Sequence, residues 1–204
     1  MDKFIGFYWT LPVPWAGFAD LPESVEEATA KSKTIRYQRE RVRTWVRDQK
    51  GQLIEEKAFL ELSPDRGTEQ ILPEIERLII KGQKEGASLV LVDFSEAFGW
   101  RRHGLLYSRL GNEKFCVCLD PVPVLIDGVE FDPVSHFRAW RQVDYARISS
   151  KPEREEQIRR VIHDLKEGHS SLTEMVETLN KDGIRTPTGK LWTDDNLRKF
   201  LKAK

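Results

Sequence analysis

The 204-residue sequence has little cysteine: Cys116 and Cys118 are the whole complement. Two cysteines exclude a disulfide scaffold, and without partners at metal-ligand spacing they exclude a zinc site. They alternate along an apolar run, residues 114–119, and are expected to be core thiols in a reducing compartment. Long apolar runs are also missing. No stretch reaches 18 apolar residues, and Phe4-Ile5-Gly6-Phe7-Tyr8-Trp9 is too short for a signal peptide, so a cytoplasmic protein without a membrane partner is expected. Net charge is absent too: 33 basic residues meet 33 acidic ones. That balance excludes a uniformly basic nucleic-acid coat and an acidic disordered chain. The four histidines, His103, His136, His163 and His169, share no ligand spacing, so no metal is expected. With no phosphate loop and no glycine-rich dinucleotide fingerprint, no cofactor is expected either.

What is present alternates. Residues 3–9 read as a buried strand, and residues 12–33 as a long loop with an acidic patch. A helix is expected over 34–49, with Ile35, Val42, Trp45 and Val46 inward. Its other face carries Arg36, Arg39, Arg41, Arg43 and Arg47; interleaved Glu40 and Asp48 favour a solvated face over a DNA contact. Strands are expected over 53–62, 87–94 and 114–119, with helices over 68–84 and 102–110 and an edge hairpin over 122–131. The continuous apolar run 87–94 marks a central parallel strand. This grammar belongs to an open α/β sheet, whose ligands sit beyond the carboxyl ends of its strands. Asp93 and Glu96 lie at such an end, as an acid pair or as helix caps.

A helix over 132–148 places Val134, Phe137, Trp140 and Val143 on one side, and Ser149-Ser150-Lys151-Pro152 reads as a linker. Beyond it only helices are expected: 155–167, 171–180, and a last one capped by Thr193. Three short helices in about fifty residues are the size of a helix-turn-helix unit. The expected organisation is an α/β domain over 1–131, a connecting helix and linker over 132–150, and a helix-turn-helix domain over 151–204.

Within the last segment, Leu179-Asn180 ends a helix, Gly183-Ile184-Arg185-Thr186-Pro187-Thr188-Gly189 forms a turn, and Trp192 precedes the next helix. This pattern closely resembles the DNA-binding segment of the serine recombinase (resolvase/invertase) family. The order of elements over 3–131 resembles that family's catalytic domain, through Ile5-Gly6-Phe7, the arginine-rich helix, Asp65-Arg66-Gly67 and residues 89–92. The resemblance implies a resolvase-like, mostly parallel sheet flanked by helices, followed by a small all-α domain.

The departures fall on the chemistry. The family cuts DNA with a serine in a Tyr-x-Arg-x-Ser motif ending the first strand, where arginines neutralise the phosphate. Aligning Phe7 with the tyrosine puts Trp9 at the arginine and Leu11 at the serine; aligning Tyr8 puts Thr10 and Pro12 there. The family's Asp-Arg-x-x-Arg after the third strand corresponds to Glu96-Ala97-Phe98-Gly99-Trp100, with Arg101 and Arg102 just beyond. Arg66 alone stays where the family places an active-site arginine. The chain thus reads as a degenerate recombinase without catalytic residues. Tyr145-Ala146-Arg147-Ile148-Ser149 matches the nucleophile motif, but only 55 residues follow it, and they match the DNA-binding segment. It reads as a helix end running into a linker.

Residues 181–204 hold seven basic against three acidic residues, leaving 26 against 30 in residues 1–180. The expected partner is double-stranded DNA. In a helix-turn-helix arrangement Thr193, Asp194 and Asn196 face bases, Arg185, Thr188 and Lys190 reach phosphate or the minor groove, and Arg198 and Lys199 meet phosphates. The resemblance implies a homodimer through the helix near 132–148; packing of that helix on its own sheet is the competing reading. The α/β domain then serves as a body for a protein partner, in regulation or as an accessory factor. Two other readings stay open: an active recombinase using Thr10 or Ser149, and a ligand-sensing or interaction domain without DNA chemistry.

Overall fold

The computed structural model describes residues 1–63, 67–95, 103–111 and 114–203. Four parallel strands, β1 (Lys3–Thr10), β2 (Gln52–Leu60), β3 (Ala87–Val92) and β4 (Cys116–Leu119), form one sheet in the order β2-β1-β3-β4. Helices α1 (Val25–Lys31) and α2 (Lys33–Asp48) cover one face; α3 (Ile71–Glu85) and α4 (Gly104–Leu110) cover the other. The chain leaves β1 toward β2 and returns past it to β3. The strand order therefore reverses between β1 and β3, where open α/β sheets place their ligands.

Both central strands are mostly apolar because both their faces are covered. On β1, Phe4 and Tyr8 pack toward α1 and α2, while Ile5, Phe7 and Trp9 pack toward α3 and α4. On β3, Val90 and Val92 face the first layer and Leu89 and Leu91 the second. Edge strand β2 has a different solution. Its consecutive residues Glu55 and Glu56 point to opposite faces. Glu55 takes Arg77 at 2.7 Å from α3, and Glu56 takes Arg43 at 2.9 Å from α2 and the Tyr8 hydroxyl at 2.7 Å. Charged, paired side chains of this kind blunt an edge that would otherwise recruit another strand.

Three expectations need correction. The segment 12–33 is not all loop, because α1 lies within it. The Ser24 hydroxyl accepts the Glu27 N–H, and Val25, Ala28 and Thr29 are buried. The cysteines are not core thiols: β4 is an edge strand, Cys118 is exposed and Cys116 half-buried. The hairpin over 122–131 forms, as β5 (Val124–Ile126) and β6 (Val129–Phe131), but as a separate two-stranded sheet. Asp127 and Gly128 both take positive φ at its turn, the geometry that Asp-Gly favours between two strands.

Helix α5 (Pro133–Ser149) leads into α6 (Lys151–Glu167), with Ser150 between them and Pro152 in the first turn of α6. The chain divides into two compact units, Met1–Trp140 and Arg141–Lys204. The second unit has its own core: Ile158 and Ile162 of α6, Met175 and Leu179 of α7 (Leu172–Lys181), Trp192, and Leu197 of α8 (Asp194–Lys202). The protein is an α/β unit with a parallel four-stranded sheet, followed by a small all-helical unit. Among the described residues, no helix is long and apolar enough to cross a membrane.

Candidate nucleic-acid interface

The helical unit is built from well-capped elements. Ser171 and Glu174 form a reciprocal box at the start of α7, each side chain bonding the other's backbone N–H. Helix α7 stops at Gly183, whose φ of 73° suits glycine. The Gly183 N–H donates to the Asn180 carbonyl at 3.2 Å and the Ile184 N–H to the Leu179 carbonyl at 2.8 Å. These two bonds define a Schellman stop, and Ile184 then packs back onto the core.

The connection to α8 is a shaped loop. The Gly189 N–H donates to the Thr186 carbonyl at 2.7 Å, with Pro187 next in the turn and Gly189 at φ 83°. The Thr186 N–H donates to the Lys190 carbonyl and the Lys190 N–H to the Thr186 hydroxyl, each at 2.9 Å. Arg185, Thr188 and Lys190 are exposed on this loop. The loop re-enters the core at Trp192, which is 2 % exposed and meets Phe200 edge-on at 5.3 Å.

Thr193 caps α8 as expected, and the cap has a cost for reading bases. The Thr193 hydroxyl accepts the Asn196 N–H at 3.3 Å. The Asn196 carboxamide accepts the Thr193 N–H at 2.9 Å and donates to the Leu191 carbonyl at 3.0 Å. Asp194 accepts the Thr173 hydroxyl at 3.1 Å. Three side chains expected at bases are thus already bonded within the unit. The outward face of α8 instead carries Asp195, Arg198, Lys199 and Lys202, all exposed. Lys199 lies 2.7 Å from Asp195 and holds that carboxyl below its ordinary value. Sequence reasoning left Asp195 out, although its spacing to residues 198, 199 and 202 was visible.

The strand ends of the α/β unit hold a different kind of site. Trp9 and Thr10 are buried and Leu11 half-buried. The Gln38 carboxamide braces Trp9, accepting its N–H at 3.2 Å and donating to its carbonyl at 2.8 Å. Next to Trp9 lies His103, its ring edge-on at 5.2 Å. His103 Nδ1 accepts the Leu106 N–H at 3.2 Å, which leaves the proton on Nε2, 2.5 Å from a Glu61 oxygen. The other Glu61 oxygen takes the Thr68 N–H at 3.0 Å and hydroxyl at 2.7 Å. Glu61 and His103 are each 1 % exposed. Burial raises the Glu61 carboxyl, but the bonds from His103 and Thr68 outweigh it and leave it below its ordinary value.

With both imidazole nitrogens bonded, this is a closed polar knot tying the end of β2 to the start of α4. Nothing in the sequence announced it: the two residues lie 42 positions apart. Arg66, Glu96, Ala97 and Trp100, with Arg101 and Arg102, lie outside the described residues. Asp93 accepts the Ser95 N–H at 2.8 Å. The α2 arginines are engaged internally: Arg36 with Asp127, Arg39 with Glu26, Arg43 with Glu56, Arg41 with the Asp120 carbonyl, and Arg47 near Asp48. Ser149 lies in the last turn of α5, its hydroxyl donating to the Tyr145 carbonyl, and Arg147 pairs with Asp144. Among the described residues, no group of three metal-ligating side chains is present.

No curated protein and no solved structure matches the chain. Residues 155–204, which contain most of α6 and all of α7 and α8, match the family model of a recombinase-like helix-turn-helix domain.

Proposed function

We propose that this protein binds duplex DNA through its helical unit and does not cut it, acting as a regulator or accessory factor related to serine recombinases. The match of residues 155–204 to a recombinase-like helix-turn-helix domain carries this reading. The surface of that unit supports it. Arg185 and Lys190 on the loop and Arg198, Lys199 and Lys202 on α8 are exposed cations suited to phosphates. Thr193 and Asn196 contribute by capping and orienting α8, and Thr188 is exposed beside Lys190.

The α/β unit supports a protein that leaves DNA uncut. Trp9 and Leu11 stand where the family's arginine and serine would be. Of the α2 arginines, Arg39 is largely buried between Glu26 and Glu56 and Arg43 is held by the largely buried Glu56, which ties both guanidinium groups to their own domain. The position of Ser149 in a helical turn, bonded back to Tyr145, supports a structural role for it. Helix α5 packs Phe137 on the α/β core and, further along, exposes Val143, Tyr145 and Ile148 around its circumference, and we assign this stretch as the place where two copies meet. The α/β unit is then free to receive a protein partner. The reading is tested by incubating the full chain with duplex DNA. Salt-sensitive retardation is expected, with no protein–DNA species surviving denaturation.

A further inference from the structure

Helix α8 is two-faced. Leu197, Phe200 and Leu201 pack into the core of the helical unit, where the Arg159 guanidinium covers the Phe200 ring at 4.7 Å. Asp195, Arg198, Lys199 and Lys202 recur at i, i+3, i+4 and i+7, so they form one stripe on the opposite, exposed face. The stripe is ordered by charge, with one carboxylate in the first turn and three cations after it. The neighbouring polar side chains are committed elsewhere: Asn196 and Thr193 to each other's backbone, Asp194 to Thr173. An asparagine reads adenine by donating and accepting at once through its amide. The Asn196 amide already makes one bond of each kind inside the protein. That amide keeps one further N–H and one lone pair, but Asn196 and Asp194 are only half-exposed, so Asp195 is the exposed side-chain acceptor of the first turn of α8.

We propose that Asp195 is the specificity-determining residue of α8, accepting a hydrogen bond from the amino group of a cytosine in the major groove while Arg198, Lys199 and Lys202 hold flanking phosphates. The proposal rests on the DNA-binding reading above. An ionised carboxylate only accepts hydrogen bonds. Cytosine offers an amino donor at the major-groove edge, whereas guanine presents two acceptors there and repels a carboxylate. Lys199 makes the anion tolerable near DNA. In the free protein its ammonium sits 2.7 Å from Asp195. An exposed i, i+4 pair of this kind is weak and exchanges readily, so Lys199 can move to a phosphate when cytosine takes its place.

The test is selection of duplexes from a pool with randomised positions, using the full-length chain and its Asp195→Asn and Asp195→Ala variants. Circular dichroism of each variant confirms that the helices are intact. The wild-type chain is expected to enrich cytosine at one position at least about fivefold. Asp195→Asn, which can donate as well as accept, is expected to shift that position toward adenine. Asp195→Ala is expected to lose the preference. The same consensus from all three proteins overturns the proposal and leaves DNA binding standing. Failure of every protein to retain any duplex at low salt overturns both.

Discussion

Asn180 and Trp192, the last turn of α7 and the entry to α8, are joined by two hydrogen bonds from one carboxamide. The amide NH2 of Asn180 donates to the Trp192 carbonyl at 2.9 Å, and its oxygen accepts the Trp192 N–H at 2.9 Å. That clasp sets where α8 starts, because it fixes the residue just before the Thr193 cap. Replacing Asn180 by Ala leaves a half-buried N–H and carbonyl without their partner. Such a loss is worth about 1–3 kcal/mol. Trp192→Ala removes a buried ring from a small core and is expected to cost about 3–5 kcal/mol. Chemical denaturation of the 141–204 fragment measures both, and Trp192→Ala is expected to leave it largely unfolded.

The Glu61–His103 knot predicts an acid-sensitive α/β unit. The folded Glu61 carboxyl lies below its ordinary value, with burial opposed and outweighed by the bonds from His103 and Thr68. Its stabilising contribution is present above the unfolded carboxyl value near 4.5 and is lost as pH falls through the lower folded value. Glu56 acts in the same direction, burial again outweighed by Arg43 and Tyr8. Unfolding temperature followed between pH 7 and 3 is expected to drop below about pH 4.5, the ordinary carboxyl value. Glu61→Gln lowers stability at neutral pH and flattens the acid limb. An unchanged acid limb in Glu61→Gln contradicts the assignment.

The two sets of cations separate by function. Arg185→Ala, Lys190→Ala, Arg198→Ala and Lys202→Ala are each expected to weaken DNA binding across all sequences. Each should reduce the slope of log affinity against log salt by about 1. Arg39→Ala and Arg43→Ala are expected to leave that slope unchanged. They loosen Glu56 and Glu26 instead, at a cost of about 1 kcal/mol in unfolding experiments. A reduced salt slope in the α2 variants would place phosphate on the α/β unit.

Helix α5 supplies a prediction about assembly. Val143 and Ile148 are more than half exposed, at 52 % and 54 %. A charge placed on a buried seam disfavours it, whereas on an open helix surface it changes little. Val143→Glu and Ile148→Glu are therefore expected to convert a dimer into a monomer in sedimentation velocity, with helix content unchanged. A wild-type chain that sediments as a monomer at high micromolar concentration rules out the dimer.

Much of the fold was legible in the sequence, for identifiable reasons. Strands β1 and β3 announced themselves because burial on both faces gives a nearly continuous apolar run. Gly183, Pro187 and Gly189 were readable because a helix stop and a tight turn demand those residue types. Helix α1 was missed because its seven residues bury one narrow stripe; its signal was Ser24 three residues before Glu27. The cysteines misled because an apolar strand on a sheet edge looks like one at the centre. At the interface, the Thr193 cap was legible, but its consequence for Asn196 was not. Whether an amide is spent inside the protein depends on bonds to Thr193 and Leu191 that only the folded loop brings together. The Glu61–His103 pair was invisible for the same reason, since no local pattern links the end of a strand to the start of a helix 42 residues later.

In the proposed function the chain holds DNA at its helical unit and leaves the strands intact. The most direct test is one incubation of the full-length protein with duplex DNA drawn from the regions flanking its own gene, divided between a native and a denaturing gel. A retarded, salt-sensitive complex is expected on the native gel and only free, full-length DNA on the denaturing gel. A covalent protein–DNA species on the denaturing gel, abolished by Thr10→Val or Ser149→Ala, would contradict it.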